Sequence, residues 1–117
     1  MKNNKEKNYR PWGYFKVLAD EKSHKVKQIV VHPGQCLSLQ KHKKRAEHWF
    51  IVKGNGIVTL DGVLLNKKDG ESIDINKGSV HRIANPGKDN LIFVEIQTGE
   101  YFGEDDIERI EDIYMRT

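Results

Sequence analysis

The sequence predicts a single all-β domain folded as a sandwich or barrel, and three observations support this fold class. Short segments rich in Val, Ile, Leu and Phe alternate with turn residues along most of the chain. Before residue 104, no segment has apolar residues at the helical spacing of about 3.6 residues. The 117 residues are enough for one hydrophobic core and are typical of one domain. Many short strands with regular turns favour a sandwich or barrel over a parallel α/β sheet.

Turn residues divide the apolar segments into individual strands. Asp61-Gly62 lies between two apolar runs and is a strong signal for a two-residue hairpin turn. Pro33-Gly34 and Asn55-Gly56 mark further turns. The strands predicted in this way span residues 14–18, 26–32, 37–41, 47–53, 57–60, 63–65, 72–75, 80–84 and 91–97.

The two ends of the chain differ from this pattern. Residues 1–9 are rich in Lys and Asn and are expected to be flexible, so that the folded domain spans 10–117. Residues 104–117 carry six acidic side chains against two Arg, a net charge of −4, whereas the rest of the chain carries +7. In this acidic tail, which is otherwise expected to be irregular, the spacing of Ile107, Ile110, Ile113 and Tyr114 predicts a short helix.

Composition excludes several classes of protein. A single Cys rules out an intrachain disulfide framework. The chain has neither an apolar run of the roughly 18 residues that a spanning helix needs nor the apolar stretch of a signal peptide. The basic run 41–45 lacks interleaved aromatic residues, so a nucleic-acid partner is not expected. We therefore expect a cytoplasmic protein that binds neither membranes nor nucleic acid.

Four polar residues are spaced as ligands of one metal ion. Gln40 and His42 are two residues apart, so their side chains would share one face of a strand. Glu47 begins the next predicted strand, and His81 lies on a distant one. Two imidazole nitrogens and two oxygens suit Zn, Mn, Fe, Co or Ni. Such a set can leave coordination positions open for a Lewis-acid reaction.

The same residues fall into two spaced motifs. The first cupin motif is matched in spacing by Gly34, Gln40, His42, Glu47 and Gly54, which resemble it with Gln40 at the position of its first His. The second cupin motif is matched by Gly70, Asn76, Gly78, His81 and Asn85, with Asn76 in place of Pro. The resemblance implies a cupin, which is a double-stranded β-helix or jelly-roll-like barrel holding one divalent metal inside.

A narrower resemblance covers residues 10–116. Four segments are similar to the type II mannose-6-phosphate isomerases: Arg10-Pro11-Trp12-Gly13, residues 37–49, residues 81–87 and the ending 95–112. That family implies interconversion of mannose 6-phosphate and fructose 6-phosphate for GDP-mannose and polysaccharide biosynthesis, with zinc as the preferred metal. Its domain usually follows a mannose-1-phosphate guanylyltransferase, which these residues lack, so nucleotidyl transfer would belong to a separate chain.

Substrate-binding and catalytic residues are less sharply indicated. Arg45 and Lys43 lie beside the ligands, and Arg10 and Arg82 fall in the resembling segments; a guanidinium suits a phosphate. For Lys43, a solvated surface loop is an equal alternative. Candidates for the general base are Lys27, His48, Lys53 and Glu95, besides a metal-bound hydroxide. Strand alternation would turn His48 away from Glu47.

Two alternatives to the isomerase stay open at this point. The chain could act on another sugar phosphate, because a fold does not determine a substrate. It could also be a non-catalytic sugar- or metal-binding module that partners a separate guanylyltransferase. In either case we expect a C2 homodimer, since pairing covers exposed sheet edges.

Overall fold

Eleven antiparallel strands make up the folded part of the chain in this computed structural model, which describes residues 6–111. All nine strands predicted from the sequence are confirmed, with bounds that differ by a few residues. The strands are β1 Asn8–Arg10, β2 Gly13–Asp20, β3 His24–Val31, β4 Leu39–Lys41, β5 Arg45–Lys53, β6 Asn55–Leu60, β7 Val63–Lys68, β8 Ser72–Ile75, β9 His81–Ala84, β10 Leu91–Gly99 and β11 Glu108–Glu111.

The strands form two sheets that enclose one interior. The first sheet has the order β1-β2-β3-β10-β5-β8, and the second has the order β11-β4-β9-β6-β7. Because the chain passes repeatedly from one sheet to the other, sequence neighbours such as β4 and β5 lie in different sheets. This arrangement confirms the predicted all-β, jelly-roll-like class. No helix long and apolar enough to cross a membrane occurs within residues 6–111.

Strands β5 and β10 share one burial pattern, in which every second side chain along most of their length points inward. Phe93 lies opposite Ile51, Glu95 opposite Trp49, and Gln97 opposite Glu47. The inner face of the sheet is therefore apolar at one end and polar at the other. At the apolar end, Trp49 packs on Phe93 with ring centroids 5.0 Å apart. Val58 and Ile83 of the second sheet complete this core and are fully buried.

Two glycine-dependent backbone features position the connections. Asp61 and Gly62 have φ values of 48° and 83° and form the predicted hairpin turn between β6 and β7. Gly99 ends β10 with φ 138°, and a Cβ there would lie 2.4 Å from the carbonyl oxygen of Lys44. Only glycine permits this close approach, which directs the following segment across the loop between β4 and β5.

The predicted helix in the acidic tail is wrong for the part that the structure describes. Glu108–Glu111 forms β11 instead, in which Glu108 pairs with Lys41 and Arg109 with Gln40 of β4. The open edge of β4 offers backbone hydrogen bonds that an isolated turn of helix would lack. Ile113 and Tyr114 of that prediction lie outside the described residues.

Strand β1 overlaps the segment expected to be flexible. Asn8 pairs with Phe15 and Tyr9 with Tyr14, whose ring centroid is 5.8 Å from that of Tyr9. Residues 8–10 form a strand because their backbone pairs with β2, and their polar composition does not indicate this. The domain boundary at residue 10 stays a prediction.

Replacing Phe93 by Ala tests the core. Phe93 is fully buried, so the Phe93→Ala change should lower the free energy of unfolding by about 3–5 kcal/mol. The control Leu64→Ala removes a side chain that is 70% exposed and should change it by less than about 0.5 kcal/mol. Urea denaturation measures both values, and equal effects would contradict the placement of the core.

Candidate metal centre

A cavity of about 70 Å³ occupies the polar end of the barrel interior. Strands from both sheets reach it, because Glu47 projects inward from β5 and His81 from β9. The tail closes its outer side with Glu104, Ile107 and Arg109. The cavity thus lies where the first sheet, the second sheet and the tail meet.

Three of the four predicted ligands form a compact buried cluster. Ligating atoms of His42, Glu47 and His81 all lie within 4.8 Å of one another. Gln40 lies directly opposite His81 in the β4–β9 pairing and lines the same cavity. The structure therefore brings together, from three separate parts of the chain, the residue set that the sequence indicated.

Glu47 is the centre of this cluster. Its Oε2 accepts a hydrogen bond from Arg45 Nε at 2.8 Å, and its Oε1 accepts one from Trp49 Nε1 at 2.9 Å. The Nδ1 of His42 lies 3.5 Å from Oε2, and the Nε2 of His81 lies 3.9 Å from Oε1. These contacts orient the carboxylate between the two imidazoles.

Both histidines are held in the neutral form that binds metals. Burial lowers the pKa of His42 to about 3, with the Arg45 and His81 charges acting in the same direction. Burial also lowers the pKa of His81. The backbone oxygen of Ser79 can only accept, so His81 Nδ1 donates to it at 2.9 Å and the lone pair is on Nε2.

The residues present fit a divalent cation. Arg45 Nη2 can only donate, so His42 Nε2 accepts from it at 3.0 Å and the lone pair of this ring is on Nε2. A metal bound through His42 Nε2 would take the place of this hydrogen bond, and the lone pair of His81 Nε2 lies 3.9 Å from Oε1 of the same Glu47 carboxylate. Two imidazole nitrogens with one carboxylate form the donor set typical of zinc and the later transition metals.

The predicted phosphate-binding residues separate into two groups. Arg45 is buried in the cavity wall, and Arg10 lines the cavity while stacking over the ring of Phe15. Arg82 instead donates to Glu111 on the outer face, at 2.9 Å, and Lys43 lies in a surface loop. Arg82 and Lys43 do not line the cavity that the described residues form.

Of the four candidate side chains for the base, Glu95 and Lys27 line the cavity, and Lys27 is already paired with Glu104. His48 points outward, where its Nδ1 lies 2.6 Å from an oxygen of Asp74. Lys53 is exposed near the end of β5. Glu95 is 5% exposed and accepts a hydrogen bond from Gln97 Nε2. Burial, followed by the charge of Glu47, raises the pKa of Glu95 to about 7.

Sequence reasoning missed two residues that contact the site from β10 and β3. Alternation from Phe93 through Glu95 would place Gln97 inward, where it is buried and donates to Glu95. Lys27 was considered only as a base, yet alternation from Ile29 and Val31 predicts its burial opposite Glu95.

Two further cavity residues come from the tail. The carboxylate of Glu104 lies 2.6 Å from Lys27 Nζ, and Arg109 lines the same cavity. No local sequence pattern indicates either residue, because their positions depend on where the tail crosses the barrel.

Comparisons with known proteins identify the family of the chain. Residues 1–112 match the family model described as mannose-6-phosphate isomerase C-terminal. The chain is 50% identical over 109 residues to the alginate biosynthesis protein AlgA of Pseudomonas aeruginosa, covering 93% of this chain and 23% of the relative. It is 44% identical over 108 residues to the mannose-1-phosphate guanylyltransferase ManC of Salmonella typhimurium, covering 92% and 22%.

A solved structure supports the fold. The RmlC-like cupin of Shewanella frigidimarina aligns with a TM-score of 0.75 at 18% identity, over 86% of this chain and 87% of that one. The predicted cupin barrel is thereby confirmed. The chain spans less than a quarter of the length of AlgA and ManC.

Removing a ligand tests the metal centre. We expect His42→Ala and His81→Ala each to weaken binding of Zn²⁺ or Co²⁺ by about 100-fold or more, because losing a ligand should exceed the roughly 10–100-fold effect of losing a ligand's partner. The matched control His48→Ala removes an imidazole from the outer face and should leave binding unchanged. Calorimetric titration of chelator-treated protein measures the affinities. Equal affinities in all three variants would rule out this centre.

Proposed function

The chain belongs to the mannose-6-phosphate isomerase C-terminal family, and on that premise we propose that it is a metal-dependent isomerase of mannose 6-phosphate and fructose 6-phosphate. One observation carries the proposal. A donor set that fits a divalent cation and a carboxyl group with a pKa of about 7 line the same cavity. Interconversion of an aldose and a ketose needs this combination of an electrophile and a proton carrier.

The charge of the donor set suits the electrophilic role. A divalent cation bound there would supply Lewis-acid stabilisation of the negative charge that develops on the sugar oxygens. Gln40 is neutral, and His42 and His81 are neutral because burial lowers the pKa of each. Glu47 is therefore the single anionic ligand in the proposed set, and the site keeps a net positive charge.

Glu95 is the group that we assign to proton transfer. During conversion of the aldose it would take the proton from C2, leaving an enediolate, and return a proton to C1. The reverse reaction follows the same steps in the opposite order. A carboxyl group with a pKa near the working pH performs both steps well. Gln97 donates to the Glu95 carboxyl group and orients it, and Lys27 lies opposite Glu95 on the neighbouring strand β3.

Two other functions are compatible with this cavity. The substrate could be a different sugar phosphate, since the barrel alone does not determine it. Turnover measured over a panel of hexose and pentose phosphates decides between them. The chain could instead bind a sugar phosphate without turnover and act beside a separate guanylyltransferase, as the short coverage of AlgA and ManC would allow.

We also propose that the protein works in the cytoplasm as a homodimer. Phe50, Val52 and Ile96 are exposed on the outer faces of the neighbouring strands β5 and β10. A second copy would cover these apolar side chains. Sedimentation should give twice the 13.6 kDa chain mass, and Phe50→Lys should shift the protein toward monomers. A monomeric unaltered protein would contradict the dimer.

Activity measurements test the proposed reaction. Formation of fructose 6-phosphate from mannose 6-phosphate should be lost after chelator treatment and restored by a divalent metal. Glu95→Gln should lower kcat by about 10²–10⁴-fold with a small effect on KM, because it removes the proton carrier and keeps the shape. The control His48→Gln should retain full activity. Absence of turnover with every divalent metal would overturn the isomerase.

A further inference from the structure

We propose that Lys27, Arg45 and Arg109 form an anion subsite at the mouth of the cavity, and that the carboxylate of Glu104 occupies it until a tetrahedral anion displaces it. That the natural anion is the phosphate of a sugar phosphate rests on the proposed function. The subsite itself rests on the contacts of these four residues.

The contacts of Glu104 are those of an anion bound from outside. Its Oε2 lies 2.6 Å from Lys27 Nζ and 3.9 Å from Arg45 Nη1. The side chains of Lys27 and Arg45 are 5% and 4% exposed, whereas that of Glu104 is 51% exposed. The barrel therefore holds the two cations in place, and the carboxylate enters from the solvent side. Burial acts to raise the pKa of Glu104, but Lys27 and Arg45 hold it below its usual value.

The subsite has more hydrogen-bond donors than the carboxylate of Glu104 accepts from. Arg45 Nε donates to Glu47, and its Nη2 lies 3.0 Å from His42 Nε2. Its Nη1 is buried and has no hydrogen-bond partner within the part of the chain that the structure describes. At 3.9 Å, the oxygen of Glu104 is too far away to accept from Nη1.

Arg109 supplies a second unused donor. Its Nε is buried and likewise lacks a partner among residues 6–111, and its side chain lines the same cavity. A phosphate carries up to two negative charges and three peripheral oxygens. It could accept from the ammonium and from both guanidinium groups at once. The donor arrangement thus fits a tetrahedral dianion better than it fits the carboxylate that occupies it.

The small volume of the cavity also indicates that the tail must move before a sugar phosphate can enter. At about 70 Å³ it is well below the roughly 300 Å³ or more of typical small-molecule sites. Between β10 and β11 the tail is held by exposed contacts, in which Asp106 accepts from the backbone N–H groups of Lys43 and Lys44; the tail then pairs with β4 through β11, where Glu108 also lies 3.8 Å from Lys41. Exposed ion pairs contribute at most about 1 kcal/mol each. Displacement of Glu104 by a phosphate would therefore open the cavity at the place where the phosphate binds.

Binding of inorganic phosphate to the full chain tests the subsite. The protein is treated with chelator first, so that phosphate cannot bind through a metal. Glu104→Gln removes the competing charge with little change in shape and should tighten phosphate binding by about tenfold, as measured by calorimetry. The matched control Glu71→Gln removes an exposed carboxylate from the turn between β7 and β8, outside the tail, and should bind as the unaltered protein does. Lys27→Gln should abolish binding, with circular dichroism verifying that it folds.

Hydrogen exchange provides an independent readout. Phosphate should speed amide exchange in residues 100–107 of the unaltered protein, because it releases the segment that carries Glu104, while exchange in β11 should stay slow. Equal phosphate affinity in the unaltered protein and Glu104→Gln, or no phosphate binding in either, would overturn the subsite.

Turnover separates this proposal from the isomerase. If the chain isomerises mannose 6-phosphate, Glu104→Gln should lower KM by about tenfold and change kcat by less than about twofold. A raised KM would overturn the competition by Glu104 while leaving the isomerase intact. Tighter phosphate binding in a protein without turnover would support the subsite and count against the isomerase alone.

Discussion

The buried ion pair between Arg45 and Glu47 is the interaction on which the site depends. Both side chains are at most 4% exposed, and Arg45 Nε donates to the carboxylate at 2.8 Å. Removing one partner of such a pair leaves an uncompensated buried charge and costs about 3–5 kcal/mol. The pair orients the carboxylate of Glu47 between His42 and His81. It also holds the guanidinium of Arg45 in the cavity wall.

The Arg45–Glu47 ion pair lies on the same strand, β5, as part of the apolar core. Along β5, the inward side chains change from Arg45 and Glu47 to Trp49 and Ile51. Trp49 belongs to both, because its ring packs on Phe93 while its Nε1 donates to Glu47. Burial of apolar surface at one end of the strand stabilises the barrel, and this offsets the cost of removing the charged groups at the other end from water. The core and the site are therefore joined through Trp49.

The acidic tail and the basic part of the chain contact each other in the folded structure. The acidic tail crosses the barrel beside the basic run, where Asp106 accepts from the backbone of Lys43 and Lys44. Arg82 is likewise engaged by Glu111. Of the cations that the sequence offered to a phosphate, Arg82 and Arg45 thus already contact an intramolecular carboxylate. Inside the cavity, the carboxylate of Glu104 lies 2.6 Å from Lys27 Nζ and 3.9 Å from Arg45 Nη1, and this contact matters more because both cations are buried.

Nine strands and two cupin motifs could be predicted from the sequence, because they depend on local alternation and on spacing within short segments. The same motifs indicated that Gln40, His42, Glu47 and His81 lie together, and all four line one cavity. Their role as metal ligands stays a prediction. Alternation along β5 already turned His48 away from Glu47, whereas the exposure of Lys53 and the position of Glu95 in the cavity depend on how the sheets pair. Only the tertiary structure decided that 108–111 is a strand and that Glu104 reaches Lys27, a contact between residues 77 positions apart. Contacts of that range arise from how the chain is wound, and no local pattern encodes them.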